Sequence, residues 1–227
     1  MIATTCWICS DPADSSEHMV KASDFRSVFG RVTQKSPAYR HSKGGANHPI
    51  KGTDVSAIKF RRSLCQRCNN ARTQTHDRAW ETFLAFGRSA RPMLRRGDRV
   101  PFSRIFRGTA KNSALALHLY FLKQFGCHVV ENCIPLPIKQ FAACILSNNP
   151  HPCLRLIFVS FAAEASKYKI QVGDIQTLNR GGQAVCAVWH YRVETIGVIV
   201  SYAEPGHPRL TRDRGWHPND VGVPRMA

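Results

Sequence analysis

The chain has 227 residues, of which 43% are hydrophobic, so it is apolar enough to bury a core and is not a disordered tail. Its 32 Lys and Arg residues outnumber 15 Asp and Glu residues, and the resulting net charge of +17 favours a polyanionic partner, either nucleic acid or an acidic membrane surface. No stretch approaches the roughly 18 consecutive apolar residues of a membrane span, and the first residues lack the regions of a secretory signal. We therefore expect a cytoplasmic protein without a membrane partner.

The first third of the chain alternates short strands with loops. Cys6 to Cys9 forms a tight C-x-x-C turn, a short strand is predicted over 17–20, and Ser23 is placed to cap a short helix. Residues 35–55 are rich in Gly, Pro, Ser and Asn and predict a long loop. A second strand is expected over 57–64, followed by Cys65 to Cys68 and a helix over 69–86.

Basic residues are concentrated between Arg88 and Lys111, where Gly and Pro interrupt any helix. We interpret this stretch as a basic linker with Arg95, Arg96 and Arg99 as nucleic-acid contacts, the alternative being a solvated run of charge.

The chain beyond the linker predicts a separate α+β domain over 112–227. Helices are expected over 113–125 and 138–146, strands over 154–161, 168–172, 184–193 and 197–203, and an irregular tail follows. This domain carries no motif of its own, and a protein partner or a homodimer would contact it.

Two C-x-x-C pairs, Cys6 with Cys9 and Cys65 with Cys68, are the strongest local signal in the sequence. Four thiolates complete a tetrahedral zinc site without an open position, so the predicted Zn²⁺ is structural. The alternative is a set of thiols that binds no metal. The other five cysteines lack ligand spacing and are expected to be buried thiols.

The residues around these pairs carry a family resemblance. A C-x-x-C pair, an acidic residue followed by His (Glu17-His18), and then L-C-x-x-C-N-x-x-R at a helix start resemble the HNH nucleases of the ββα-metal fold. The likeness covers about residues 1–86, so the module is expected over 1–87, and phage and bacterial members with zinc knuckles are the most similar. It implies a phosphodiesterase that requires a divalent metal and acts on DNA in preference to RNA.

The resemblance also implies roles for individual residues. His18 matches the general base that activates water, and Glu17 and Asn69 match the ligands of one Mg²⁺ or Mn²⁺ ion. Arg72 matches the basic residue of the family. On a continuous helix Arg72 and His76 share a face with Asn69, which predicts that both contact the scissile strand.

One position departs from the family pattern. Many members have an asparagine that orients the catalytic histidine, whereas this chain has Phe60. Asn47 in the long loop either replaces it or has no role, so the residue that orients His18 is unassigned. The alternative function is a non-catalytic zinc-knuckle protein that binds nucleic acid or regulates another protein. A third hypothesis makes the C-terminal half a sensing domain that controls the nuclease.

Overall fold

The computed structural model describes residues 5–41, 46–89, 95–161, 168–208, 215–220 and 223–227, and these form a mixed α+β fold. In chain order, the described elements before residue 106 are α1 (Ala22–Phe29), β1 (Ala38–His41), β2 (Asn47–Ile50), a 3₁₀ helix (Ser56–Ile58), α2 (Gln66–Asn69), α3 (Gln74–Ser89) and α4 (Phe102–Ile105). Those after it are α5 (Ala110–Glu131), α6 (Ile138–Ser147), β3 (Leu154–Ser160), β4 (Ile170–Val172), β5 (Gln176–Arg180), β6 (Gln183–Val193) and β7 (Ile196–Ala203).

The two segments predicted as N-terminal strands, 17–20 and 57–64, form isolated bridges in place of continuous strands, and a 3₁₀ helix covers Ser56–Ile58. Bridges join Ser15 to Leu64 and His18 to Lys59 in antiparallel register. Around the second bridge, Phe60 N donates to Glu17 O at 2.9 Å and Met19 N donates to Ile58 O at 2.8 Å. The chain therefore runs from one extended segment to its partner and then directly into α2.

Two further local predictions in this region are wrong. The expected loop over 35–55 contains an antiparallel hairpin of β1 and β2. The hairpin includes Tyr39, which is aromatic, and Ile50, which is β-branched, and strands favour both types of residue. The expected helix over 69–86 is broken, since α2 ends at Asn69 and α3 begins at Gln74. Arg72, Thr73 and His76 therefore do not continue one helical face from Asn69.

The C-terminal strands form one antiparallel sheet in the order β3-β7-β6-β4, with β5 also paired to β6. Gly181 and Gly182 connect β5 to β6, and their φ angles of 57° and 79° suit the tight turn that such a two-residue hairpin needs. The strand β5 was not predicted, because its residues are exposed and polar.

Helix α5 lies at the centre of the molecule. It packs against α3 on one side and α6 on another, and Leu119, Phe121 and Phe125 are completely buried. The apolar side chains of this helix therefore belong to the core. Trp7, in the turn between Cys6 and Cys9, lies directly against Gly126 of this helix.

The segment predicted as a linker contributes to the core. Val100, Ile105 and Phe106 belong to one hydrophobic cluster that includes residues from Cys6 to Met226. The end of the chain also packs inward, since Leu156 bridges Trp216 and Phe158 bridges Met226. The described part of the tail therefore packs against β3. The domain boundaries predicted at residues 87 and 112 stay predictions.

Among the helices within these described ranges, none combines the length and apolarity needed to cross a membrane.

Candidate metal centre and polar pocket

The two C-x-x-C pairs meet in space. The sulfur atoms of Cys6, Cys9, Cys65 and Cys68 all lie within 4.8 Å of one another, and those of Cys9 and Cys65 are 3.5 Å apart. In a tetrahedral zinc site with Zn–S bonds of about 2.3 Å, the sulfur atoms are roughly 3.8 Å apart. The cluster therefore has the size and donor set for one metal ion such as zinc.

Local structure positions and polarises these thiols. Cys65 precedes α2, and its sulfur accepts a hydrogen bond from Cys68 N at 3.4 Å. Burial acts to raise the pKa of Cys65, but hydrogen bonds from the Cys68 backbone and from neighbouring thiols outweigh it, and the net direction is downward. Burial raises the pKa of Cys68 on balance, and Arg72 Nη1, which donates to Cys68 Sγ at 3.1 Å, opposes this shift by favouring the thiolate form that a metal requires.

A polar pocket of about 200 Å³ lies beside the cysteine cluster. It is bounded by the first turn of α1, by the end of α2 and by α3. Glu17, His18 and Asn69, which the sequence assigned to one catalytic centre, all line it. The pairing of 15–19 with 58–64 brings these residues together. Because residues 58–64 lead directly into α2, this helix lies next to the extended segment that contains Glu17 and His18.

His18 is held by a backbone carbonyl and not by an asparagine. Its Nε2 lies 3.0 Å from Thr53 O, and because a carbonyl oxygen only accepts, Nε2 is the nitrogen that carries the proton. Burial lowers the pKa of His18, against the opposing effects of the Thr53 contact and of Glu17, so the ring is neutral at pH 7. Nδ1 of a neutral ring in this tautomer is a proton acceptor.

The candidate replacement for the missing family asparagine is elsewhere. Asn47 Oδ1 contacts His41 Nδ1 at 2.5 Å in the exposed hairpin of β1 and β2. Of the two alternatives for Asn47, this contact favours the one in which it does not orient His18, since its side chain is engaged with another ring. The contact that replaces it, from Thr53 O, depends on backbone geometry and has no signature in the sequence.

Asn69 suits a hard cation. Its Nδ2 donates to Ser15 Oγ at 2.8 Å and to Ser16 O at 3.2 Å, which points Oδ1 away from these two acceptors. That oxygen is buried and has no hydrogen-bond partner. An amide oxygen of this kind is a ligand that Mg²⁺ or Mn²⁺ accepts, and a bound cation would satisfy it.

Glu17 fits a cation less well. Its side chain is 9% exposed, and both carboxylate oxygens have partners: Oε2 lies 2.8 Å from Lys123 Nζ and Oε1 accepts from Gln124 Nε2 at 3.1 Å. The carboxylate is thus already neutralised by an ammonium group. Asn69 fits the implied cation, whereas Glu17 offers it no unengaged oxygen.

Sequence reasoning missed the charged residues that surround this pocket. Lys123 also contacts Asp77 Oδ1 at 3.2 Å, and Lys21 lies 3.4 Å from the same oxygen and 3.6 Å from Glu81 Oε1. One signal was present in the sequence: Lys123 and Gln124 are polar neighbours inside an otherwise strongly apolar helix. A charge at such a position requires a buried partner, which here comes from Glu17 and Asp77.

The other predicted site residues lie away from the pocket. Arg72 contacts Cys68, and His76 is 3% exposed with its pKa lowered to about 4 by burial and then by Lys123; neither lines the pocket. Arg95, Arg96 and Arg99 are exposed on a turn whose backbone pairs with residues 224–226.

Comparison of the chain with protein-family models, with curated proteins and with solved structures finds no match. The residues and their geometry are therefore the basis on which a function is assigned.

Proposed function

We propose that this chain is an HNH-type endonuclease that hydrolyses phosphodiester bonds in nucleic acid, with DNA favoured over RNA. One observation carries the proposal: the neighbouring residues Glu17 and His18 line a single pocket with Asn69, which is distant in sequence, beside a four-cysteine cluster. The antiparallel pairing of 15–19 with 58–64, followed by a helix, supports it as well. The net charge of +17 suits a polyanionic substrate.

In this proposal His18 is the general base. Its Nε2–H is fixed on Thr53 O, so Nδ1 has the free lone pair that removes a proton from water. The resulting hydroxide forms a bond to phosphorus as the bond from phosphorus to the 3′ oxygen breaks. A divalent cation, when bound, would stabilise the negative charge that develops on the phosphate and on the leaving oxygen. Asn69 is the residue whose free oxygen would contact it.

The four-cysteine cluster has a structural role in this proposal. A zinc ion there would connect the turn at Cys6 to the start of α2 and would hold Asn69 next to the segment that carries His18. Arg72 belongs to this centre, because its guanidinium group donates to Cys68 Sγ and stabilises the negative charge of the thiolate.

A second function, non-catalytic binding of nucleic acid, is favoured by a different observation. The Glu17 carboxylate is paired with Lys123 and Gln124, and a protein that only binds nucleic acid has no need of a free acidic ligand. In both proposals the C-terminal half remains a candidate surface for a protein partner or a second copy of the chain.

The experiment that separates the two functions is cleavage of supercoiled plasmid with Mg²⁺ added or omitted. We expect His18→Ala to lower the cleavage rate by roughly 10²–10⁴-fold, because it removes the proton acceptor. Binding of DNA in a gel-shift assay should be unchanged. His48→Ala, which removes an exposed imidazole of β2, is the matched control and should cleave as the wild type does.

Two results would overturn the nuclease proposal. One is cleavage by His18→Ala at the wild-type rate. The other is a wild-type protein that binds DNA and RNA but cleaves neither with Mg²⁺ or Mn²⁺, which would establish the binding function instead.

A further inference from the structure

Lys123 is the most completely buried charged side chain in the described part of the chain. It extends from α5 with no exposed surface, and its Nζ contacts Glu17 Oε2 at 2.8 Å, Asp77 Oδ1 at 3.2 Å and Thr73 Oγ1 at 3.2 Å. An ammonium group in the interior remains charged only when acidic partners surround it. Lys123 is therefore a fixed positive charge between two carboxylates.

The position of this ammonium group matters for any cation at the pocket. Glu17, Asp77 and Asn69 all line the pocket, and the first two have the Lys123 ammonium between them. A divalent cation bound to the Glu17 carboxylate would lie within a few ångströms of a like charge in a region shielded from water, where repulsion is strong. Gln124 adds to this arrangement by occupying the other Glu17 oxygen.

We propose that Lys123 is a built-in counter-cation, which takes the place between Glu17 and Asp77 that a divalent cation would otherwise take. Glu17 is then a positioning residue that holds Lys123, and it is not a cation ligand in this chain. The inference rests on the proposed function only in treating this pocket as the reacting site, and it revises the ligand set that the family resemblance implied.

The charge balance of the pocket leads to the same conclusion. Glu17, Asp77 and Glu81 carry three negative charges, and Lys123, Lys21 and Arg26 carry three positive charges, which leaves −3 + 3 = 0. Removal of the Lys123 charge leaves −1, so the pocket then attracts a cation that the balanced set of charges does not attract.

The test measures Mn²⁺ binding by the loss of the free-ion signal in electron paramagnetic resonance, on the zinc-loaded full chain. We expect Glu17→Gln to leave the wild-type affinity within about twofold, because Glu17 is engaged by Lys123. Lys123→Gln should bind Mn²⁺ at least roughly tenfold more tightly, since it removes the positive charge that lies between the Glu17 and Asp77 carboxylates. Lys123→Arg keeps the positive charge and should bind Mn²⁺ no more tightly than the wild type. The double variant, Lys123→Gln combined with Glu17→Gln, should lose the increase in Mn²⁺ affinity that Lys123→Gln alone produces.

The opposite results would overturn the inference. A fall of tenfold or more in Mn²⁺ affinity for Glu17→Gln would make Glu17 a ligand. A Lys123→Gln protein that retains zinc and the wild-type circular dichroism spectrum, yet binds Mn²⁺ as the wild type does, would also contradict it. If Lys123→Gln does not fold, the Mn²⁺ affinity of Glu17→Gln decides alone. That variant should fold, because Lys123 keeps its contact with Asp77.

Plasmid cleavage measured on the same samples keeps the two proposals distinguishable. Cleavage that does not depend on His18 refutes the nuclease proposal, whereas the Mn²⁺ affinities alone decide the role of Lys123.

Discussion

Cys65 combines two tasks in the four-cysteine cluster. Its sulfur lies 3.5 Å from that of Cys9 and accepts the first backbone hydrogen bond of α2. It is thus both a candidate zinc ligand and the residue that begins the helix carrying Asn69. Because metal binding energy contributes to folding energy in small zinc modules, the loss of one ligand affects the whole N-terminal region.

We predict that Cys65→Ser lowers the zinc content well below one ion per chain and unfolds the region around α2. Zinc analysis by mass spectrometry and protection of α2 amides from hydrogen exchange measure the two effects. Cys133→Ser is the control, since Cys133 is exposed and is not part of the cluster. A Cys65→Ser protein with full zinc occupancy would contradict the prediction.

At the scale of elements, α5 joins the cysteine cluster to the rest of the molecule. A Cβ atom on Gly126 would come within 2.6 Å of Trp7 Cη2, so the turn between Cys6 and Cys9 packs on the helix only because residue 126 has no side chain. The same helix supplies Lys123 and Gln124 to the pocket. One element therefore supports both the metal centre and the candidate active site.

We predict that Gly126→Ala lowers the free energy of unfolding by about 1–3 kcal/mol, because the added methyl group overpacks the contact with Trp7. Alanine has the higher helix propensity by about 1 kcal/mol, so the clash must exceed that gain. Urea denaturation measures the change. In a Trp7→Ala background the same substitution should be neutral or stabilising, and an equal loss in both backgrounds would exclude the clash as the cause.

At the scale of the whole molecule, the excess of positive charge is the dominant electrostatic feature. Arg95, Arg96 and Arg99 are exposed, and the backbone from Gly97 to Val100 is hydrogen-bonded to residues 224–226. This contact holds the arginines on an ordered surface. A surface of this kind gains affinity for nucleic acid by releasing counterions from the phosphates.

We predict that replacing Arg95, Arg96 and Arg99 by Gln flattens the slope of log affinity against log salt by roughly 2–3, since each phosphate contact contributes about 0.9. Fluorescence anisotropy of labelled duplex DNA at several salt concentrations gives the slope. Replacing Arg31, Lys35 and Lys139, which are also exposed, by Gln changes the net charge equally and is the control. Equal slopes in the two variants would mean that the predicted surface makes no contact.

Buried histidines make the stability of the whole fold sensitive to acid. Burial lowers the pKa of His76, His128 and His151 to about 4, whereas in the unfolded chain the value is about 6.5. Between these two pKa values the unfolded chain binds more protons than the folded chain does. The free energy of unfolding therefore decreases as pH falls through this window. Burial raises the pKa of Asp24, which acts in the opposite direction but for a single group.

We predict that the free energy of unfolding falls between pH 6.5 and pH 4, with up to about 1.4 kcal/mol per pH unit from each of these histidines. Urea denaturation with excess zinc at several pH values measures the slope. His128→Phe, in a site already lined by the rings of Phe60 and Trp189, should reduce the slope by the share of one group. An unchanged slope in that variant would exclude His128 as a contributor.

The sequence predicted the features that depend on neighbouring residues. C-x-x-C spacing identified four cysteines that meet in space, and apolar periodicity identified α5, α6 and most of the strands of the sheet. The positions of β1, β2 and β5 were missed, because these strands are short and largely exposed and so carry no apolar pattern. The break between α2 and α3 was missed because residues 70–73 lack a helix-breaking residue.

The composition of the pocket was decided by tertiary structure. Glu17, His18 and Asn69 were singled out by a family resemblance, which gave no sign that a lysine from α5 would pair with the Glu17 carboxylate. Nor could it indicate that Thr53 O would hold the His18 ring. Ligand spacing and strand or helix preference arise from residues adjacent in the chain, whereas the partner of a buried charge is set by which distant elements pack together.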